Sequence, residues 1–175
     1  MKIDEITSFY HTAPDDEYMA SRWTMPLDQM KRIATIQGHF DIYIEDQPYR
    51  SQVYIVDTKT NKIVGSAIFK DRHITGISNT ISASIINILS SYRNKGLASG
   101  LYGVLISAGY NIVSDYDQSQ YGRGLWLSMA KKYVAQIYNP KDASISPPVS
   151  DITPAYKNDS LAVILSKNGV SNEIH

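Results

Sequence analysis

Hydrophobic spacing along the chain changes several times, and each change predicts an element. From about residue 26 to 37, Leu27, Met30, Ile33 and Ala34 fall at i, i+3, i+6 and i+7. Pro26 suits a first helical position and Gly38 a stop, so a helix is expected there. Two β-rich runs follow, at 51–57 and 63–69, joined by Thr58-Lys-Thr-Asn-Lys62. They read as a hairpin with a slightly long loop. Residues 71–81 carry no clear pattern. A third strand is expected at 82–89, through Ile85, Ile86 and Ile88. Leu97, Leu101, Val104, Leu105 and Ala108 then return at helical spacing. A short strand is expected at 110–114, a polar turn at 115–119 and a second helix at 119–132, carrying Leu125, Trp126, Met129 and Ala130. Residues 133–138 and 160–166 read as strands. The four prolines between 139 and 159 predict a long irregular loop. The order of elements is that of an α/β domain with one mixed sheet.

Composition narrows the chemistry. The chain has 175 residues, 43% hydrophobic and 19% charged, enough for one domain with its own core. The expected division is a variable part at 1–50, a core at 51–166 and a loose tail at 167–175. Lys+Arg and Asp+Glu both number 17, so no global field draws the chain to nucleic acid or an anionic membrane. There is no cysteine, which excludes disulfides, thiolate metal sites and an acyl-cysteine intermediate. The histidines (His11, His39, His73, His175) show no metal-ligand spacing, and no metal is expected. No apolar run reaches the roughly 18–20 residues of a membrane span, and the first ten residues lack an apolar signal core. A cytoplasmic location is therefore expected.

The segment that carries chemistry starts at Ser90. A turn with Gly96 leads from an apolar strand into a helix, which leaves unpaired N–H groups at the helix start. Arg93 and Lys95 add positive charge at its rim, and Ser99 adds a hydroxyl one turn in. Neither the Walker pattern nor the Gly-x-Gly-x-x-Gly spacing is present.

Arg93-Asn94-Lys95-Gly96-Leu97-Ala98 resembles the Arg/Gln-x-x-Gly-x-Gly/Ala signature of the GCN5-related N-acetyltransferase (GNAT) superfamily. The hairpin before it and the amphipathic helix after it match as well. The resemblance covers about residues 50–138 and fits the first 50 poorly. The run 114–126 is similar to acetyltransferase-like proteins of phage and bacterial genomes, which would place a phage-encoded chain in a host cytoplasm.

The resemblance implies a mostly antiparallel sheet with one splayed strand pair and flanking helices. It implies acetyl-CoA as cosubstrate, an unidentified amine or protein acceptor, and direct transfer in a ternary complex. A homodimer is compatible with it. The pyrophosphate would sit on the N–H groups of Asn94, Lys95, Gly96, Leu97 and Ala98, flanked by Arg93, Ser99 and Ser119. The pantetheine arm would run beside Asn87, Ile88 and Leu89. Asp115 is the first candidate base, ahead of Asp117 and His73. Trp126 stands where the family often holds a tyrosine acid, and Tyr121 is the candidate substitute. The competing expectation is a catalytically inactive protein of the same fold, acting as a binding or regulatory module. A nucleotide-phosphate binder is a third.

Overall fold

The computed structural model describes residues 27–115, 120–157 and 160–171. The expected helix at 26–37 is not formed. Leu27–Gln29 make a 3-10 turn, and β1 (Lys31–Ile36) follows as a strand. Its partner is β2 (Phe40–Gln47), with Ala34 opposite Ile42 and Ile36 opposite Phe40. The turn between them takes Gln37 and Gly38 to φ values of 51° and 75°. Two left-handed residues in succession match the right-handed twist of a hairpin. A six-residue stretch of mixed spacing fits strand as well as helix, and pairing with β2 decides between them.

The expected hairpin is β3 (Arg50–Asp57) and β4 (Lys62–Asp71), and the expected third strand is β5 (Thr80–Ile88). Helix α1 (Leu97–Ser107) and β6 (Asn111–Val113) come next. Helix α2 (Gln120–Ala130), β7 (Val134–Asn139) and β9 (Ala162–Ser166) also lie close to their expected places. The proline-rich stretch is more ordered than expected. It holds β8 (Ser144–Ile145), paired with the end of β7, and a short helix α3 (Thr153–Tyr156) with Pro154 in its first turn. There proline's missing N–H costs nothing. The described start of the tail is also tied down: Val170 N–H donates to Gln136 Oε1 at 2.6 Å and Gly169 N–H to Ser166 Oγ at 2.9 Å.

The nine strands of the described residues form one sheet in the order β1-β2-β3-β4-β5-β6-β9-β7-β8. The fold is α/β with a mixed, mostly antiparallel sheet. Among the described residues the β5–β6 pair alone is parallel, joined through α1. Thr80 pairs with Asn111, Ile81 with Ile112 and Ser82 with Val113; beyond Ser82, β5 continues to Ile88 without β6. The splayed pair is thus present.

The main core lies on one face of the sheet. Ile42, Val53, Ile55, Val64 and Phe69 pack beneath Leu97, Leu101, Tyr102 and Leu105 of α1 and Trp126 and Met129 of α2. The Tyr102 ring meets Phe69 edge-on at 6.2 Å and Trp126 at 5.7 Å. Each large side chain buried here contributes about 1.5–3 kcal/mol. These contacts seat both helices, so their N-termini open beyond the carboxyl ends of β5 and β6. In open α/β sheets that edge is where ligands bind.

Candidate functional site

The turn after β5 is built to show its amides. Ser90–Tyr92 form a 3-10 turn, Asn94 has φ 59° and Gly96 caps α1 with φ 75°. The carbonyls are drawn inward. Gln37 Nε2 donates to Lys95 O at 2.6 Å, while Ser99 Oγ and Gly100 N–H each donate to Gly96 O at 2.9 Å. The N–H groups of Asn94, Lys95, Gly96, Leu97, Ala98 and Ser99 have no acceptor among the described residues. Free amides at a helix start, with the helix dipole behind them, make an anion site. Gly96 serves it twice: its φ suits glycine, and its missing side chain leaves the amides open.

The cations at the rim are partly engaged. Arg93 Nε donates to Ile88 O at 2.9 Å, and Lys95 Nζ lies 4.7 Å from the centre of the Tyr92 ring. Tyr92 in turn donates its hydroxyl to Asp57 Oδ2 at 3.0 Å, which anchors the turn to β3. The Ser99 hydroxyl points to the Gly96 carbonyl, so its contribution is to shape the turn.

The strand edge differs in detail from expectation. Leu89 N–H donates to Val64 O at 3.0 Å, so its amide is spent on β4. Backbone groups alternate between the two edges of a strand. Asn87 therefore shares the β4 edge, and Ile86 and Ile88 present their groups to the opening. Of the strand residues expected beside the arm, Ile88 presents its backbone to the opening and Leu89 and Asn87 do not; Ile86, which the sequence reading did not name, does.

Asp115 follows β6 at the mouth of the opening. Its side chain is half exposed, with Arg72 Nη1 3.6 Å from Oδ1. Burial pushes its carboxyl above the usual carboxylate range, against the pull of Arg72 and Lys70. A carboxylate raised in this way suits proton acceptance better than an ordinary one. The neighbouring Tyr102 phenol is pushed up by burial and, less, by Asp115. Trp126 is buried against Tyr102 and belongs to the core. Tyr121 lies in the first turn of α2, and its side chain is outside the described residues, as are Asp117 and Ser119. His73 is exposed beyond the end of β4. No cluster of three His, Cys, Asp or Glu that could hold a metal occurs among the described residues. No described helix is long and apolar enough to cross a membrane.

Two cavities adjoin the turn. One of about 950 Å³ runs along α1, past Gly96, Gly100 and Gly103, to Tyr133. The other, about 400 Å³, lies among His39, Asp57, Tyr92 and Lys95. Gln37 lines both and holds the turn by its side chain. Nothing in the local sequence marks it, because its partner Lys95 is 58 residues away.

No family model matches the chain, and no curated protein is significantly similar to it. Among solved structures it is similar to the ribosomal-protein-S18-alanine N-acetyltransferase from Escherichia coli. That match has 13% identity and a TM-score of 0.39, over 74% of this chain and 76% of that one. It is similar also to a GNAT-family protein from Desulfovibrio desulfuricans, described as an acetyltransferase (10% identity, 66% of this chain, 67% of that one, TM-score 0.36). A GNAT-family protein from Bacteroides thetaiotaomicron, described in the same way, aligns over 99% of this chain and 88% of its own, with 8% identity and a TM-score of 0.39. At these scores the likenesses add nothing to the geometry above.

Proposed function

We propose that the chain is a GNAT-type acyltransferase that moves an acetyl group from acetyl-CoA to an amine, without a metal. One observation carries this reading: a strand with an open edge ends in a turn whose amides, from Asn94 to Ser99, lack acceptors among the described residues. A diphosphate fits the amides, and an extended amide-bearing arm fits the strand edge.

In this reading the acceptor nitrogen attacks the thioester carbon and the carbon–sulfur bond breaks. Asp115 takes the proton from nitrogen, and the departing thiolate takes a proton from an acid or water. The N–H groups of Ile86 and Ile88 are the strand donors available to the carbonyl oxygen as negative charge develops. With no cysteine in the chain, direct transfer is the natural route.

Coenzyme A at millimolar concentration should raise the unfolding temperature, and Gly96→Val should abolish that rise. Acetyl-CoA with a panel of amines and peptides should release free thiol. No shift with the wild-type protein would sink the proposal. A shift without turnover would favour the second reading, a cofactor-binding module. The burial of Trp126 in the core, at the position where the family often has its acid, supports that alternative.

A further inference from the structure

The bond between Arg93 and β5 joins the two halves of the site. β5 leaves its edge bare beyond Ser82, and Ile88 O is the last acceptor on that edge before the turn. Arg93 occupies it: Nε donates to Ile88 O at 2.9 Å, in an exposed position. An extended ligand that pairs with β5 from the turn backwards meets this bond first. The same guanidinium stands at the rim of the unpaired amides. A phosphate there is a better partner than a solvent-exposed carbonyl. The guanidinium is charged in either bond, but a phosphate adds a full negative charge and can take two parallel hydrogen bonds where the carbonyl takes one. The side-on fork of arginine also engages its Nε together with an Nη, so gripping a phosphate in that way releases Ile88 O.

We propose that Arg93 is a specificity-determining residue: it keeps the β5 edge closed to a ligand's amide until a phosphate draws it away, and so reserves that edge for phosphorylated thioester carriers. This rests on the acyl-CoA reading of the site. Unphosphorylated pantetheine thioesters should therefore be poor ligands and poor acetyl donors, although they carry the whole reacting portion of the molecule.

The test separates the carrier into two fragments. Pantetheine is titrated calorimetrically into the wild-type protein, with and without saturating inorganic pyrophosphate. Pyrophosphate should tighten pantetheine binding about tenfold, within the usual range of coupling between sites. Arg93→Ala should bind pantetheine about as tightly without pyrophosphate as the wild-type protein does with it, and should gain nothing further. Arg93→Gln places an amide nitrogen where Nε now stands but carries no charge to attract phosphate. It should bind pantetheine weakly under both conditions. Circular dichroism checks that each variant is folded. Pyrophosphate and pantetheine that bind the wild-type protein independently of one another would overturn the assignment to Arg93 alone. Failure of pyrophosphate, pantetheine and coenzyme A alike to bind it would overturn the acyl-CoA reading and the assignment with it.

Discussion

Gln37 shows how much one distant side chain can set. Its φ of 51° places it at the β1–β2 corner, and its amide holds the Lys95 carbonyl away from the amide cradle. Gln37→Ala should leave that carbonyl free to turn toward a bound anion. The expected result is coenzyme A binding weakened about 5- to 10-fold, the worth of one hydrogen bond of about 1 kcal/mol or somewhat more. The unfolding temperature of the free protein should change little, because the residue is exposed. Calorimetric titration beside thermal melts checks both halves. Asp41 tells a different story on the opposite side of β1. Arg32, through Nε at 2.7 Å and Nη2 at 3.0 Å, and Thr35 Oγ1 at 2.6 Å hold its carboxyl below the usual range. A depressed carboxylate contributes stability that is present above its unfolded pKa of about 3.9 and is lost as pH falls through the folded value. Asp41→Asn should therefore flatten the acid limb of stability below about pH 4, as read from urea midpoints between pH 2 and 6.

Elements, unlike single contacts, follow spacing, and that decided what was legible. The β3–β4 hairpin, β5 and both long helices lie close to where alternation and helical repeats put them. The amide-bearing turn before α1 was legible because glycine, cations and the strand-to-helix change fall within a few residues. β1 was not, because its six residues satisfy a helical stripe and a strand equally until β2 pairs with them. The edge assignment was not legible either. Consecutive residues Ile86, Asn87, Ile88 and Leu89 gain opposite roles from one ladder bond, Leu89 to Val64, which no local pattern encodes. Nor was the order within 139–159, where Val149 N–H reaches Ala135 O at 2.8 Å across the fold. Helix α1 holds a further dependence on distant contacts. A Cβ at Gly103 would come within 2.7 Å of the Tyr133 hydroxyl oxygen. Glycine inside a helix costs about 1 kcal/mol against alanine, and here it leaves room for that hydroxyl. The Tyr133 hydroxyl is the far end of a side chain that borders the larger cavity, so Gly103→Val should push it aside at a cost of about 1 kcal/mol or less. Urea denaturation of Gly103→Val beside Tyr133→Phe/Gly103→Val measures how much of that loss comes from the hydroxyl contact.

The molecule as a whole has one seam. Five antiparallel strands lie on one side, β1 to β5, and the β6-β9-β7-β8 group lies on the other. Strand β6 is joined by short ladders on both sides, three residue pairs to β5 and two to β9, with Asn111 N–H donating to Asn79 O at 2.8 Å and α1 bridging the blocks from above. The ladders from β2 to β5 and the β7–β9 ladder are longer, so the sheet is narrowest around β6. Slow amide exchange in β3 and β4 and faster exchange at Asn111–Val113 would express that difference. On the proposed reading, a carrier in the gap would lay its phosphates on the turn before α1 and its arm along β5, reach Asp115 beyond β6, and so act as a clasp. Loading the protein with coenzyme A should slow exchange at Asn111–Val113 more than anywhere in β3. On that reading the narrow zip has a use: its shortness leaves the β5 edge open beyond Ser82, and the cargo itself would supply the missing rung.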